Sequence, residues 1–196
     1  MSKQLKKVHK IASAPQQVKI LAGCWRGTKL PVLLQDDIRP TPSRVRETLF
    51  NWLQTYIVGS DCLDLFAGSG ALAFEAVSRG ANSAVLVDKD KQVINLLSQQ
   101  IDKLHANQIH AVCDDGLRYL QKSQQAFDII FLDPPFSKIS PLDLLEQINN
   151  LQLLKPKGLV YVEYSANNSL DAIPQGWQWS RQSNAGEVKY GLLKKD

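Results

Sequence analysis

Cysteine is scarce in this sequence, and long apolar runs are missing. Cys24, Cys62 and Cys113 are the three cysteines among 196 residues, and no two of them have the CxxC spacing of zinc or redox sites. We therefore predict free thiols, with Cys62 and Cys113 buried in strands, and neither a disulfide framework nor a metal site. No run approaches the roughly 20 apolar residues of a membrane span, and no apolar segment of a signal peptide follows the basic start MSKQLKKVHK. These absences favour a cytoplasmic protein that contacts no membrane.

Repeats and low-complexity tracts are also missing. Hydrophobic residues make up 44% of the chain, which is enough to close the core of one domain and argues against disorder. Basic residues are unevenly distributed: residues 1–50 hold ten Lys or Arg against three Asp or Glu, whereas residues 51–196 hold thirteen against sixteen. Clustered cations favour contact with a polyanion because binding releases counterions from phosphates. A solvated basic tail is the alternative for the cations before residue 11.

Strand and helix patterns alternate along most of the chain. A hairpin is predicted at 18–21 and 29–32, followed by a helix that Thr41 caps, that starts at Pro42 and that stops before Gly59. Later strands are predicted at 62–66, 84–88, 110–114, 127–132, 158–163, 177–180 and 188–193, and later helices at 70–79, 91–104, 116–123 and 141–150. This order predicts an α/β fold with a parallel sheet covered on both faces and a closing antiparallel pair. Such folds bind ligands at the carboxyl ends of their strands.

A glycine-rich turn follows the first of these later strands, in DLFAGSGALA at 64–73. Gly68 and Gly70 permit a tight backbone and the close approach of a ligand to a helix amino terminus. The next strand ends at Asp88, where an acid can accept both hydroxyls of a ribose. Together these features indicate an adenosine-containing cofactor. GSGALA also fits the dinucleotide pattern of dehydrogenases, and a turn that binds nothing is a further alternative.

Two further carboxylates favour a methyl donor over a nicotinamide. Asp64 lies in the glycine-loop strand, where it would repel a pyrophosphate but could hold the cationic amino-acid end of S-adenosylmethionine. The third strand ends in CDDG, so Asp115 could accept from an adenine amino group while Gly116 lets the ring lie close. A helix cap by Asp114 or Asp115 is an equally good and compatible interpretation.

The fourth strand ends in FLDPPF at 131–136. An exocyclic amino nitrogen on a base is a poor nucleophile because its lone pair is delocalised into the ring, and acceptors beside it draw that pair outward. The carboxylate of Asp133 and the carbonyl of Pro134 could be such acceptors, held without slack by the two prolines, while Phe136 stacks on the base. A plain strand end and turn is the alternative.

The ordered set DLFAGSG, VLVDKD, DDG and DPPF resembles the class I S-adenosylmethionine-dependent methyltransferases, and DPPF resembles the [DN]-P-P-[FYW] box of enzymes that methylate planar amino nitrogens. More closely, VKILAGCWRGTKLPV, RPTPSRVRETLFNWL, DLFAGSGALAFEAVSRGA and FLDPPF are similar to the RsmD family of bacterial ribosomal RNA guanine-N2 methyltransferases. This resemblance implies a Rossmann-like, seven-stranded, mostly parallel sheet with an amino-terminal hairpin and helix extension. It also implies methyl transfer to N2 of the guanine at position 966 of 16S rRNA, with release of S-adenosylhomocysteine.

The resemblance also assigns site residues, with two departures from the family pattern. Position 88 is often Glu and position 115 is often Asn, so the shorter Asp88 should still bind ribose, whereas the adenine contact of Asp115 is less defined. The residues that would bind the cofactor are Asp64, Phe66, Ala67, Gly68, Ser69, Gly70, Asp88, Lys89, Asp115, Gly116 and Asp133. Those that would hold the target amine and its base are Asp133, Pro134, Pro135 and Phe136.

The basic front end would then face RNA. Arginines beside the hairpin and the helix start can bind phosphates and help present an extruded base. For each of them, an ordinary surface role or an intramolecular pair is the alternative. These residues are Arg26, Arg39, Arg44 and Arg46. We predict an RNA-facing extension at 1–58 and a methyltransferase domain at 59–196. The protein would act as a monomer on 16S rRNA, within a partly assembled small subunit.

Other functions share parts of these motifs. A DNA adenine-N6 methyltransferase would have the same fold and box, but it usually needs a separate target-recognition segment, and only about 60 leading residues are spare. A protein-glutamine methyltransferase would more often have Asn in place of Asp133. Asp64 and DPPF argue against a nicotinamide dehydrogenase, and a noncatalytic RNA-binding module would not need DPPF.

Overall fold

The computed structural model describes residues 17–33, 41–134, 139–165 and 173–195. A two-stranded hairpin precedes a seven-stranded sheet. The strands are β1 Gln17–Lys19, β2 Lys29–Pro31, β3 Asp61–Asp64, β4 Ser83–Asp88, β5 Ile109–Cys113, β6 Phe127–Leu132, β7 Leu154–Ser165, β8 Trp177–Ala185 and β9 Val188–Lys195. The helices are α1 Ser43–Trp52, α2 Ala71–Ser78, α3 Lys91–Leu104, α4 Gly116–Lys122 and α5 Pro141–Asn150. The predicted α/β fold class is confirmed. None of these helices is long and apolar enough to cross a membrane.

The large sheet has the strand order β5-β4-β3-β6-β7-β9-β8. β3 to β7 run parallel, and β9 is antiparallel to both β7 and β8. The chain moves outward from β3 through β4 to β5 and then returns to place β6 on the other side of β3. The strand order therefore reverses between β3 and β6, and ligands of open α/β sheets bind at the carboxyl ends of strands at such a point.

Strand side chains alternate between two apolar layers because successive residues point to opposite faces. Leu63, Ile130 and Val160 pack in the layer that contains the buried side of α5. Cys62 and Ile129 pack in the other layer, with α1, α2, α3 and hairpin residues of the amino-terminal segment. The continuous apolar runs of β4 and β6 follow from this arrangement, since both faces of a parallel sheet are covered.

A buried carboxylate joins the amino-terminal hairpin to the sheet domain. Glu75 on α2 is fully buried and accepts hydrogen bonds from the backbone N–H groups of Leu21 and Ala22 at 2.6 and 3.0 Å. Arg79 donates to it at 2.7 Å, and Arg46 from α1 lies 3.7 Å away. Because a buried charge must be compensated, these contacts fix the hairpin and α1 on α2.

The helix after the hairpin differs from the prediction in its limits. It begins at Ser43 with Pro42 at the N-cap position, and the hydroxyl of Thr41 does not cap it but donates to Asp133. It ends at Trp52, before Gly59, so Tyr56 is exposed rather than on a buried apolar face. Three turns are enough to bury its apolar side chains, and the segment after Trp52 continues as turns.

The cysteines are free thiols, as predicted, but only one is buried. Cys62 lies inside β3, and burial raises the pKa of its thiol to about 12. Cys113 was wrongly expected in the core: it is exposed because it is the last residue of β5, which forms an edge of the sheet.

Candidate active site

Four carboxylates lie where parallel strands end at one edge of the sheet. Asp64 is the last residue of β3, Asp88 is the last residue of β4, and Asp133 directly follows β6. Glu163 on β7 is at the level of Asp133, because Leu132 pairs with Val162 one residue earlier. The sequence predicted the three aspartates at this edge, but Glu163 was missed.

The glycine turn has the conformation that the sequence predicts. Gly68 and Gly70 have φ values of 49° and 70°, in the left-handed region that favours glycine. A Cβ at Gly70 would also lie 2.7 Å from Cδ2 of Leu97. Gly70 thus lets α2 start close to β4 and α3, with its first backbone N–H groups at the ligand edge of the sheet.

Asp88 is bound to this turn through one carboxylate oxygen and to the residues after its own strand through the other. Its Oδ2 accepts from the N–H of Gly68 at 3.0 Å, and its Oδ1 accepts from the N–H of Asp90 at 2.9 Å. Burial raises the pKa of this carboxyl, and the two backbone hydrogen bonds oppose that rise. The contacts fix the carboxylate beside the glycine turn, at the place where the sequence predicts a ribose.

Asp115 and Gly116 follow β5 at the start of α4. Asp115 is the N-cap residue and accepts from the N–H of Arg118 at 3.2 Å, so the helix-cap interpretation is correct for this residue. A Cβ at Gly116 would lie 3.0 Å from Cε1 of Phe66. Because Gly116 has no side chain, the Phe66 ring packs directly on its backbone. Phe66 belongs to the predicted methionine end of the site and Gly116 to the predicted adenine end, so this contact joins the two ends.

Asp64 is a buried acid that forms no ion pair with a Lys or Arg of the described residues. It is 2% exposed and accepts from the backbone N–H groups of Phe66 and Ala73, the latter in the first turn of α2. Burial is the main cause that raises its pKa to about 8, and the charge of Asp133 adds to the effect. A positive ligand would relieve this cost, because an opposite charge nearby favours the ionised form.

Asp133 contacts a residue from the segment before α1. The hydroxyl of Thr41 donates to its Oδ2 at 3.2 Å. Burial raises the pKa of Asp133 to about 6, although this hydrogen bond acts in the opposite direction. Beside it, Glu163 is 4% exposed and accepts from the hydroxyl of Tyr161 at 2.6 Å. Burial, followed by the charge of Asp133, raises the pKa of Glu163 to about 8.

Asp64 and Glu163, which are buried, and Asp133, which is partly buried, therefore form a group of acids that we call the carboxylate cluster. Among the residues that the structure describes, no Lys or Arg forms an ion pair with any of them. Several buried acids without a compensating cation are costly for a protein. Such a site suits a ligand that carries positive charge.

The arginines predicted to bind RNA divide into two groups. Arg26 and Arg44 are exposed on the amino-terminal segment, and Lys89, predicted to contact the cofactor, is exposed after β4. The prediction for Arg46 is wrong, because its side chain is 1% exposed, donates to the backbone oxygen of Lys19 at 3.0 Å and pairs with Glu75. The predictions for Arg39, Pro135 and Phe136 lie outside the described residues.

Sequence comparison places this chain in a known family. Residues 18–194 match the family described as Conserved hypothetical protein 95. The chain is 40% identical over 188 residues to ribosomal RNA small subunit methyltransferase D of Escherichia coli K12, covering 94% of this chain and 93% of the relative. The protein of the same name from Haemophilus influenzae is 42% identical over 190 residues, covering 93% and 96%. The chain belongs to the RsmD family. The family resemblance found in the sequence motifs is therefore confirmed.

Solved structures agree with the family and the fold. The Escherichia coli protein yhhF superposes with a TM-score of 0.85 at 38% identity, covering 92% of this chain and 99% of that chain. A structure of SMU.776 complexed with SAH has a TM-score of 0.67 at 22% identity, covering 93% of this chain and 57% of that chain. At that identity the second likeness shows the fold alone.

Proposed function

We propose that this RsmD-family protein transfers a methyl group from S-adenosylmethionine to the exocyclic N2 of a guanine in 16S rRNA, the position 966 type. The proposal rests on one observation above all: the carboxylate cluster lies beside a glycine turn, at the carboxyl edge of a sheet whose sequence relatives are named ribosomal RNA small subunit methyltransferase D.

The residues at the edge fit S-adenosylmethionine by charge and by shape. The buried carboxyl of Asp64, whose pKa burial raises to about 8, suits a ligand with an ammonium and a sulfonium group, because a nearby cation stabilises the ionised form. Asp88 is fixed beside the turn, where we propose that the ribose binds, and the backbone at Gly68 leaves room for close contact. When bound, S-adenosylmethionine supplies an activated methyl group whose carbon–sulfur bond breaks towards sulfur as the bond to the amine nitrogen forms.

Asp133 is proposed to act on the target amine. Its Oδ2 accepts from Thr41, so lone pairs of Oδ1 and the carbonyl of Pro134 are left to accept the two N–H groups of N2. These acceptors draw the nitrogen lone pair out of conjugation, and they do so without reorganisation because strand β6 and the neighbouring proline hold them. We also propose that Asp133 accepts the proton that the amine loses on methylation.

The amino-terminal extension, residues 1–58, is proposed to bind the RNA. Arg26 and Arg44 are exposed there, while the contacts of Glu75 hold the hairpin rigidly on the catalytic domain. A rigid basic extension positions RNA phosphates relative to Asp133 at low entropic cost. We further propose that the protein acts as a monomer on a partly assembled small subunit.

Labelled S-adenosylmethionine supplied with naked 16S rRNA, with partly assembled small subunits or with duplex DNA tests the proposal. We expect label in the ribosomal RNA, with faster transfer to assembling particles than to naked RNA. The Asp133→Ala protein, in parallel reactions, controls for label that another enzyme transfers. Label that appears only in duplex DNA would instead identify a DNA methyltransferase.

A further inference from the structure

Glu163 is an acid of the carboxylate cluster that has no role in the function proposed above. Leu132 pairs with Val162 in the parallel ladder between β6 and β7, so Asp133, which directly follows β6, lies at the level of Glu163. Side chains at the same level of a parallel sheet point to the same face. The charge of Asp133 is the second cause, after burial, that raises the pKa of Glu163, which agrees with this placement. The acid that is proposed to hold the target amine therefore has a second acid beside it.

The register separates these two acids from the third acid of the cluster. Asp64 pairs with Phe131, and Phe131 pairs with Tyr161. Asp64 thus lies two residues before the level of Asp133 and Glu163, which is about 7 Å deeper along the strands. The same face of the sheet carries all three acids. The two outer acids are at the end of the strands where the proposed function puts the base, and Asp64 is at the cofactor.

The carboxyl group of Glu163 is held by an aromatic side chain. The hydroxyl of Tyr161 donates to Oε1 at 2.6 Å. The Tyr161 ring is itself buried and packs against the rings of Phe131 and Tyr190, with centroids 6.4 and 6.3 Å away. A carboxylate has about four acceptor positions, and Tyr161 uses one of them. Glu163 can therefore accept from a further N–H donor without giving up this orientation.

The contacts of Glu163 do not explain why this residue is an acid. A glutamine would accept the same hydrogen bond from Tyr161 and would avoid the cost of a buried charge. Across the described parts of the chain, no Lys or Arg forms an ion pair with Glu163. A buried acid at the ligand edge of the sheet suits a ligand that offers an N–H donor.

Guanine differs from the other bases that have an exocyclic amine in the atom next to that amine. Its Watson–Crick edge presents the donor N1–H beside N2, whereas adenine and cytosine present a ring nitrogen that only accepts. We propose that Glu163 selects guanine by accepting N1–H, while Asp133 and Pro134 accept the two N–H groups of N2. This inference rests on the proposed function. The lone pair of a ring nitrogen opposite the Glu163 carboxylate would be repelled, so adenine and cytosine would be rejected.

The ligands favour the ionised form of Glu163 that this contact needs. Burial is the main cause that raises its pKa to about 8. The sulfonium charge of S-adenosylmethionine and a hydrogen bond from N1–H both act in the opposite direction, because each stabilises a carboxylate. We therefore expect an ionised Glu163 when cofactor and guanine are both bound.

Small subunits reconstituted with 16S rRNA that has guanine or 2-aminopurine at the target position test this inference. 2-Aminopurine keeps the N2 amine, but its N1 is an acceptor and it has no O6. The rate of methyl transfer to guanine, divided by the rate to 2-aminopurine, compares two bases on one protein, so the fraction of folded protein cancels. In the wild-type protein this ratio should be at least about a hundred, because a site built for an N–H group rejects a base that lacks it.

Glu163→Gln should change the preference in a direction that general damage does not produce. Its amide can still accept from Tyr161, and it can donate to N1 of 2-aminopurine. We expect the guanine to 2-aminopurine ratio to fall by at least about tenfold, with faster transfer to 2-aminopurine than in the wild-type protein. The loss of O6 affects both proteins alike. Glu146→Gln, an exposed change of acid to amide on α5, is the matched control and should keep the wild-type ratio.

The outcomes separate this inference from the proposed function. If the wild-type protein methylates guanine but Glu163→Gln has the same ratio, Glu163 does not select the base, and the proposed function stands. Equal rates on guanine and 2-aminopurine in the wild-type protein would also overturn the inference. A wild-type protein that transfers no methyl group to the guanine particles would contradict the proposed function and, with it, the role of Glu163.

Discussion

Glu75→Gln should destabilise the protein severely, because it removes the charge that holds the hairpin and α1 on α2. Glu75 is fully buried and accepts three hydrogen bonds of 3.0 Å or less, two from the backbone of the hairpin and one from Arg79. The substitution keeps the side-chain volume but leaves Arg46, 1% exposed, without its counter-charge. Removal of one partner from a buried ion pair costs about 3–5 kcal/mol, and we expect the free energy of unfolding to fall by that amount.

Urea unfolding measures this loss, and amide hydrogen exchange locates it. The N–H groups of Leu21 and Ala22 should be protected in the wild-type protein and should exchange quickly in Glu75→Gln, because their acceptor is weakened. Glu146→Gln, an exposed change of the same kind, should alter stability by no more than about 0.5 kcal/mol. A loss below about 1 kcal/mol in Glu75→Gln would refute the reasoning that this carboxylate fixes the hairpin.

Three further predictions concern the proposed site. Asp133→Ala should lower the rate of methyl transfer by about a hundred- to a thousandfold, while the Kd for S-adenosylmethionine changes by less than about threefold. An equal loss of rate and of cofactor affinity would show that Asp133 serves the cofactor instead. Burial raises the pKa of Asp64 to about 8, so at about pH 6.5 the free protein holds that proton and cofactor binding should release close to one proton. Calorimetry in two buffers of different ionisation enthalpy detects this release, and Asp64→Asn should abolish it. The Arg26→Ala, Arg44→Ala double variant should weaken RNA binding and make its salt dependence shallower, whereas Lys103→Ala, an exposed change near the end of α3, should do neither.

Most of the fold could be predicted because local sequence signals and the global pattern agree. α3 and β6 have the predicted limits, Lys91–Leu104 and Phe127–Leu132. In α3, Asp90 caps the start and the apolar spacing is regular, so the local signal is strong. Segments without such signals were predicted less well: β7 extends from Leu154, several residues before its predicted start, through a Pro and a Gly that obscure the strand pattern.

The site could be predicted where one strand end carries one acid. Asp64, Asp88 and Asp133 could be placed at the same edge because the carboxyl ends of parallel strands meet there. Glu163 could not, because YVEYS at 161–165 gives no local sign that its acid lies beside Asp133. Its position depends on the pairing of β6 with β7, which is a long-range contact. A buried strand interrupted by a single acid is the signal that could have identified it.

The cations show the same limit of sequence reasoning. Arg46 follows the exposed Arg44 by two residues, and both stand in one basic segment of the sequence. Two residues along a helix rotate the side-chain direction by about 200°, so Arg46 points into the domain, where it pairs with Glu75 of α2. Only the docking of α1 on α2 distinguishes the exposed arginine from the structural one.

Nucleoside analysis of 16S rRNA after reaction tests the central claim most directly. Small subunits from a strain that lacks this methylation would be incubated with the protein and isotopically labelled S-adenosylmethionine, and the digested RNA would be separated by mass spectrometry. The account predicts label in N2-methylguanosine, with none above background for Asp133→Ala. Label in N6-methyladenosine, or in any nucleoside other than N2-methylguanosine, would contradict it.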